Sequence, residues 1–355
     1  MRKHFFILLL FFSLLYISLN SYVILRLGGL LGISKKISYL CIVLATFSLP
    51  IALTLERIHP STISRILYAS AALWMGILLF ALSTLLIYEI VSHFFVIPHA
   101  GMIIIATVCT LSIVSIINAT RLSVKEVEVP LKHLKKDTTI VQISDLHVGT
   151  IRSSNFLKKI VEKINQIDPT VVLITGDIID SRSRIHAHMF SDFNTVRAPV
   201  YFVAGNHEIY EGKETVYAQL STTKIQALRN ETVDCDDIQI IGIEFSEDSD
   251  HLGNELKKIT IDKTRPAVLM YHAPQGIEDA QKAGIDLQLV GHTHFGQIFP
   301  FNFLVRIAYK HVKGLYVLES MFLYVSPGTG TWGPYMRLGS KNEISLLKLK
   351  QKSSG

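Results

Sequence analysis

The first third of the chain is a succession of apolar stretches, and the remainder alternates short apolar runs with polar punctuation. Four stretches stand out: Phe5 to Leu25, Ile37 to Leu55, Ile66 to Val91 and Met102 to Ile117. Each approaches the ~20 residues that a helix needs to cross ~30 Å of hydrocarbon. Backbone polar groups in lipid must be satisfied within the segment, so these runs are expected to be transmembrane helices. Pro50 is placed to kink the second. Met1-Arg2-Lys3-His4 suits the start of a signal peptide, but the apolar run behind it is long and lacks a small-x-small cleavage site. A retained helix is therefore expected.

From residue 138 the period changes. Thr138–Ser144 is rich in β-formers, and Asn155–Ile167 carries apolar residues at helical spacing through Phe156, Ile160, Ile164 and Ile167. Near-continuous apolar runs at Val171–Thr175, Val200–Ala204, Ile238–Ile243, Ala267–Tyr271 and Asp286–Val290 suit strands buried on both faces. Further strands are expected at Leu315–Leu318, Leu323–Ser326 and Glu343–Leu349. Strands alternating with helices predict an α/β domain, and the late strands predict a second sheet packed on the first. The expected organisation is a four-helix transmembrane region over 1–120, a juxtamembrane linker over 121–137 and a catalytic domain over 138–355.

Composition agrees with this division. The 355 residues are 49% hydrophobic with a mean hydropathy of +0.36, and the excess lies before residue 120. About 220 residues remain, enough for a substantial core. The net charge of +6 is mild, and many cations flank apolar runs, so no nucleic-acid partner is expected. Cys41, Cys109 and Cys235 imply neither a disulfide framework nor a CxxC metal site. With the N-terminus inside, the inner connections carry Arg2, Lys3, Arg57, Arg65, Arg121, Lys125, Lys132, Lys135 and Lys136; the outer ones carry Arg26, Lys35 and Lys36. The excess of inner cations places a multi-pass protein in the cell (inner) membrane with its catalytic domain cytoplasmic.

The chemistry sits in five clusters: Asp145-Leu146-His147, Gly176-Asp177-Ile178-Ile179-Asp180, Gly205-Asn206-His207-Glu208, Tyr271-His272 and Gly291-His292-Thr293-His294. Each follows an apolar strand directly. Sheets of this type build sites at the carboxyl ends of their strands, so all five are expected at one edge of one sheet. Carboxylate, imidazole and amide oxygen form a mixed shell suited to two divalent ions of manganese, iron or zinc. Asp177, central in the order, is the expected bridging carboxylate. A water held between two such ions is acidified into a nucleophile for phosphate esters.

The ordered set resembles the calcineurin-like metallophosphoesterases over roughly residues 138 to 350, and within them a bacterial membrane-associated branch. Gly291-His292-Thr293-His294-Phe295-Gly296-Gln297-Ile298 and Tyr324-Val325-Ser326-Pro327-Gly328-Thr329-Gly330 carry the closer likeness. The resemblance implies an αββα sandwich. It implies one metal on Asp145, His147, Asp177 and His294, and another on Asp177, Asn206, His272 and His292. It makes His207 the general acid, oriented by Asp180. Two positions depart from the pattern. Ser181 stands where an arginine is common, with Arg182 one residue later, and Phe295 stands where close relatives tend to carry glycine. Phe295 and Arg337 are candidate substrate-binding residues, Arg337 having a surface role as its alternative. His186, His188, His251 and His311 match no motif, and Glu208 reads as a supporting or solvated residue. The apolar stretch Ile298 to Val305 suits either core or a greasy lip that touches the bilayer or a lipid tail.

Three functions follow. The leading one is a membrane-anchored hydrolase of a phosphodiester, pyrophosphate or phosphomonoester, its partners being the lipid bilayer and a phosphate-ester substrate. A glycerophospholipid, a nucleotide-linked lipid precursor or a cyclic nucleotide would fit. The others are a non-catalytic, metal-stabilised sensing or docking module and a protein phosphatase.

Overall fold

The computed structural model describes residues 2–152, 154–180 and 188–352. The chain divides into two compact units, Met1–Ile117 with Gly333–Leu338, and Asn118–Trp332 with Gly339–Gly355.

The first unit is helical: α1 (Arg2–Leu30), α2 (Lys35–Ile58), α3 (Thr62–Ser92) and α4 (Ala100–Thr120). All four are long and apolar enough to cross a membrane. Serines start two of them. The Ser34 hydroxyl accepts from the Ile37 N–H, and Ser61 and Ser64 cap each other reciprocally at the head of α3. The first three helices pack on one another, with Ala71, Ala72, Gly76 and Ala81 buried along α3 where small residues permit close approach. Phe11, Leu44, Ile66 and Ile87 point outward, a surface that suits lipid and not water. Arg26 and Glu89, near the ends of α1 and α3, form an ion pair at 2.6 Å.

The second unit is an αββα sandwich. Its strands are β1 (Leu122–Leu131), β2 (Thr138–Ile143), β3 (Val171–Thr175), β4 (Val200–Val203), β5 (Ile225–Ala227), β6 (Glu231–Cys235), β7 (Ile238–Gly242), β8 (Ala267–Met270), β9 (Leu287–Val290), β10 (Gly314–Val317), β11 (Phe322–Val325) and β12 (Asn342–Gln351). One sheet has the order β1-β12-β2-β3-β4-β5, with β2 to β5 parallel. The other has the order β10-β11-β9-β8-β7-β6, with β7 to β9 parallel. Period-two alternation explains the layers. Ile140, Val171, Leu173, Val268 and Met270 meet in the core between the sheets. Val141, Val172 and Ile174 face the opposite way, towards α5 (Ser154–Ile167).

The helix α5 buries Leu157, Ile160, Val161 and Ile164, spaced by three, one and three residues so that they form one face. At about 1.5–3 kcal/mol for each fully buried side chain, that face holds the helix on the sheet with roughly 6–12 kcal/mol before ordering costs. Next come α6 (Asn206–Glu211) and α7 (Lys213–Leu220), the latter packed with α5 on the first sheet. The outer face of the second sheet is covered by α8 (His251–Leu256) and α9 (Ile277–Ala283). Last is α10 (Phe301–Ala308), none of whose residues is buried.

One segment differs from the sequence reading, and a second, left open there, is decided by the structure. Residues 121–137, read as linker, hold strand β1, which pairs in parallel with β12 over its whole length. Only Val129, Leu131 and Leu134 of this stretch are buried, and Pro130 sits on an edge strand, so the hydrophobic signal is thin. The stretch Ile298 to Val305, read as either core or an exposed lip, is largely exposed: Ile298 is buried, but Phe299, Phe301, Phe303 and Leu304 are exposed, and Ile307 beyond them is 82% exposed.

Candidate metal centre

The five clusters lie in the turns that leave β2, β3, β4, β8 and β9. They do not share one sheet. Asp145, His147, Asp177, Asn206 and His207 come from the first sheet, whereas His272, His292 and His294 come from the second. Apolar runs of equal length say nothing about which strands pair, so the sequence hid this division. The parallel strands of both sheets deliver their carboxyl ends to one place.

The side chains meet closely. His147 Nε2 lies 3.0 Å from His294 Nε2, and His294 Nε2 is 3.3 Å from Asp145 Oδ1. Asp177 Oδ2 is 3.2 Å from His272 Nε2, 3.9 Å from His147 Nε2 and 4.0 Å from His207 Nε2. Asn206 Oδ1 lies 3.1 Å from His272 Nε2 and 2.9 Å from His292 Nδ1. Three overlapping sets have ligand atoms within 4.8 Å of one another: Asp145, His147 and His294; His147, Asp177 and His207; Asp177, His272 and His292. The middle set places His207 close enough to be a ligand itself. All but His292 are buried.

These residues fit divalent cations. Lone-pair nitrogens and carboxylate oxygens converge in a buried space, where without a shared cation they would repel. His272 is preset for the task. Its Nδ1–H donates to Thr175 O at 2.8 Å, which orients the ring so that Nε2 faces Asp177 and Asn206.

The electrostatics follow from burial and crowding. Burial and the Asp177 charge push the Asp145 carboxyl up to about 6, although His272 opposes them. Burial works the same way on Asp177, but the charge and hydrogen bond of His272, with His207 and His147 behind it, outweigh burial and hold it below the usual carboxylate range. Burial alone would lower His272; the Asp177 carboxylate raises it to about 10. Burial and His272 take His292 down to about 4.

The backbone here is strained in a consistent way. Asp145, His147, Asp177, His292 and His294 all adopt positive φ, between 46° and 69°. Asp and His tolerate the left-handed region better than most residues, and such conformations gather at functional sites. Two glycines permit the close approach. A Cβ on Gly291 would lie 2.0 Å from Ser144 Oγ and 2.3 Å from Asp145 Oδ2, and one on Gly205 would lie 2.3 Å from Asp177 Oδ1.

Two residues are more important than the sequence suggested. Glu208 is fully buried, and its carboxylate accepts four backbone N–H bonds: Asp177 at 2.9 Å, Ile178 at 2.9 Å, Ile179 at 3.3 Å and Gly205 at 2.7 Å. It ties the turn after β3 to the turn after β4. Burial and the nearby Asp177 raise its carboxyl to about 7, against the N–H groups of Gly205 and Asp177. Tyr309 was not anticipated at all; its hydroxyl lies 2.9 Å from His292 Nε2. Only the spacing of Glu208 behind Gly205, a capping-box pattern, was a signal in the sequence.

The remaining candidates fall as follows. Asp180 is buried, and its N–H donates to Val148 O at 2.9 Å. Phe295 follows His294 in the left-handed region, with φ of 50° and ψ of 35°. Arg337 is not on the surface: it is fully buried, grouped with the helical unit, and its N–H donates to Ser115 O. Ser181, Arg182 and His186 lie outside the described residues.

Comparison with known proteins identifies the family of this domain. The model of the calcineurin-like phosphoesterases matches residues 138–296. An uncharacterized metallophosphoesterase of Campylobacter jejuni is 38% identical over 238 residues, which cover 64% of this chain and 63% of that protein. A transmembrane protein with metallophosphoesterase domain from Bos taurus is 34% identical over 267 residues, 68% of this chain and 60% of that protein. The chain thus spans less than two thirds of the length of these two relatives. The metallophosphoesterase YkuE of Bacillus subtilis, likewise uncharacterized, is 30% identical over 225 residues, 59% of this chain and 78% of its own length. The matched region begins at the first residue of β2 and ends two residues beyond His294, so it contains every one of the converging ligands. The chain belongs to the calcineurin-like phosphoesterase family.

Proposed function

We propose that the protein is a membrane-anchored, metal-dependent hydrolase of phosphate esters. The convergence of Asp145, His147, Asp177, Asn206, His272, His292 and His294 from both sheets carries this reading. Asp145, His147, Asp177 and His294 would hold one divalent ion, and Asp177, Asn206, His272 and His292 the other. Asp177 is the shared ligand, since its Oδ2 faces histidines of both sets. When bound, two such ions acidify a water and neutralise phosphoryl oxygens as charge develops.

The chain's own residues do the rest. Asp177 Oδ1 accepts the His207 N–H at 2.9 Å, which fixes that backbone beside the cluster. His207 then holds a proton for the departing ester oxygen, with Asp180 orienting the ring. Trp332 and Tyr210 lie against the His207 imidazole and limit its rotation and its contact with water.

The substrate works at a bilayer surface. The four long apolar helices and the exposed aromatic and aliphatic residues of α10, just beyond the His294 ligand, support that assignment. The excess of Lys and Arg on the inner connections supports a domain on the cytoplasmic side of a cell membrane. A phosphodiester or pyrophosphate in a lipid or lipid-precursor headgroup is the substrate class.

The purified chain with manganese should hydrolyse bis-p-nitrophenyl phosphate. His207→Ala should lower that rate by about 10²–10⁴-fold while metal content by atomic emission is retained. A wild-type protein that binds both metals and turns over no phosphate ester would sink the reading.

A further inference from the structure

A cleft of about 460 Å³ is lined by Phe295, Arg306, Tyr309, Lys310, Lys313 and Tyr316, among others. It shares two residues with the scaffold of the metal cluster. Phe295 follows His294 directly, and the Tyr309 hydroxyl touches His292 Nε2 at 2.9 Å. The cleft wall therefore includes the immediate neighbours of two of the proposed metal ligands.

Three cations converge here. The Arg306 guanidinium stands 5.3 Å from the Phe295 ring centroid, and the Lys313 ammonium stands 5.2 Å from it. Phe295 holds its ring within reach of both from a left-handed backbone position that disfavours a bulky side chain. Among the described residues, no carboxylate pairs with Arg306 or Lys310. Elsewhere in the same domain Lys213, Arg229, Arg265, Lys348 and Lys350 each have a carboxylate partner. Arg306 and Lys310 on one cleft repel each other, and an anionic ligand removes that penalty. The volume lies in the range of small-molecule sites and exceeds what one phosphate needs. The hydroxyl-bearing rings of Tyr309 and Tyr316 offer contacts to whatever the anion is attached to.

We propose that this cleft binds a second anionic group of the substrate, a phosphate covalently linked to the one that meets the metal cluster. The preferred substrate class is then a diphosphate compound in place of an isolated monophosphate. The identity of the first site rests on the hydrolase reading, whereas the cleft's affinity is measured without turnover.

The test uses the full chain in detergent with manganese, titrated calorimetrically with methylenediphosphonate and with methylphosphonate. The wild type should bind the diphosphonate more tightly. Arg306→Gln with Lys310→Gln removes two charge-assisted contacts and should weaken the diphosphonate by about ten- to a hundredfold. Its affinity for methylphosphonate should stay within about threefold, as should both affinities in a Lys158→Gln, Lys159→Gln control on the exposed face of α5. Equal losses for the two ligands would overturn the proposal, because the cations would then only draw anions towards the metals. Unchanged diphosphonate affinity in the cleft variant would overturn it too, and would assign Arg306 and Lys310 to a membrane surface together with Phe303 and Ile307. A wild type that fails to hydrolyse bis-p-nitrophenyl phosphate sinks the hydrolase reading alone; the binding comparison still decides the cleft.

Discussion

Glu208→Gln offers a sensitive test of how the centre is held together. The substitution keeps size and shape and removes one charge. Each Glu208 carboxylate oxygen accepts two backbone N–H groups, Ile178 and Ile179 on one, Asp177 and Gly205 on the other. A glutamine amide keeps one oxygen and turns an NH₂ towards the other pair. Two buried N–H donors then lose their acceptor and face another donor. Leaving a buried donor unsatisfied costs about 1–3 kcal/mol, so the pair costs about 2–6 kcal/mol. For a domain of this size that is a fall in Tm of roughly 5–20 °C. The turns carrying Asp177 and Asn206 should loosen as well, and support residues of metal ligands typically govern affinity by about 10–100-fold. Thermal unfolding of the solubilised chain and a manganese titration on the same sample measure both effects. A variant with an unchanged Tm and unchanged manganese affinity would refute the idea that Glu208 clamps the two turns.

Other outcomes follow from the same geometry. Gly291→Ala forces a Cβ into Ser144 Oγ and Asp145 Oδ2; overpacking of this kind costs about 1–3 kcal/mol, and manganese affinity measured by calorimetry should fall with it. Chelation with EDTA should lower the Tm of the wild type, with restoration by manganese, because ions that bind only the folded state stabilise it by mass action; an Asp177→Asn variant should show little response to either. Glu244 pairs with Lys213 at 2.6 Å, accepts from Tyr217 and lies 3.5 Å from Arg229. Burial would raise its carboxyl, but the Lys213 and Tyr217 hydrogen bonds hold it below its usual value. The unfolded chain therefore binds the proton more readily, so this stabilisation is present above the ordinary Glu range and is lost as pH falls through the lowered folded value. Urea unfolding between pH 3 and 7 should show a flatter acid limb in Glu244→Gln than in the wild type.

What the sequence determined was local chemistry. Asp145, His147, Asp177, Asn206, His272, His292 and His294 were legible as candidates because ligand type is a property of the residue and each follows a strand that is apolar on both faces. The long apolar helices were legible for the same reason, as hydrocarbon demands an uninterrupted run of suitable residues. Tertiary structure decided the rest. Which strands pair is a long-range choice, so only the fold divides the ligands between two sheets and recruits β1 from an apparent linker. Glu208 reads as either a supporting or a solvated residue until four N–H groups from two turns are seen to surround it. Arg337 reads as a loop arginine until its burial is seen. Tyr309 and the cations around Phe295 carry no motif at all. Packing of α10 and the segment after it brings Tyr309 beside His292 and Arg306 and Lys313 beside Phe295, and such proximity across the chain is encoded by no short stretch of residues.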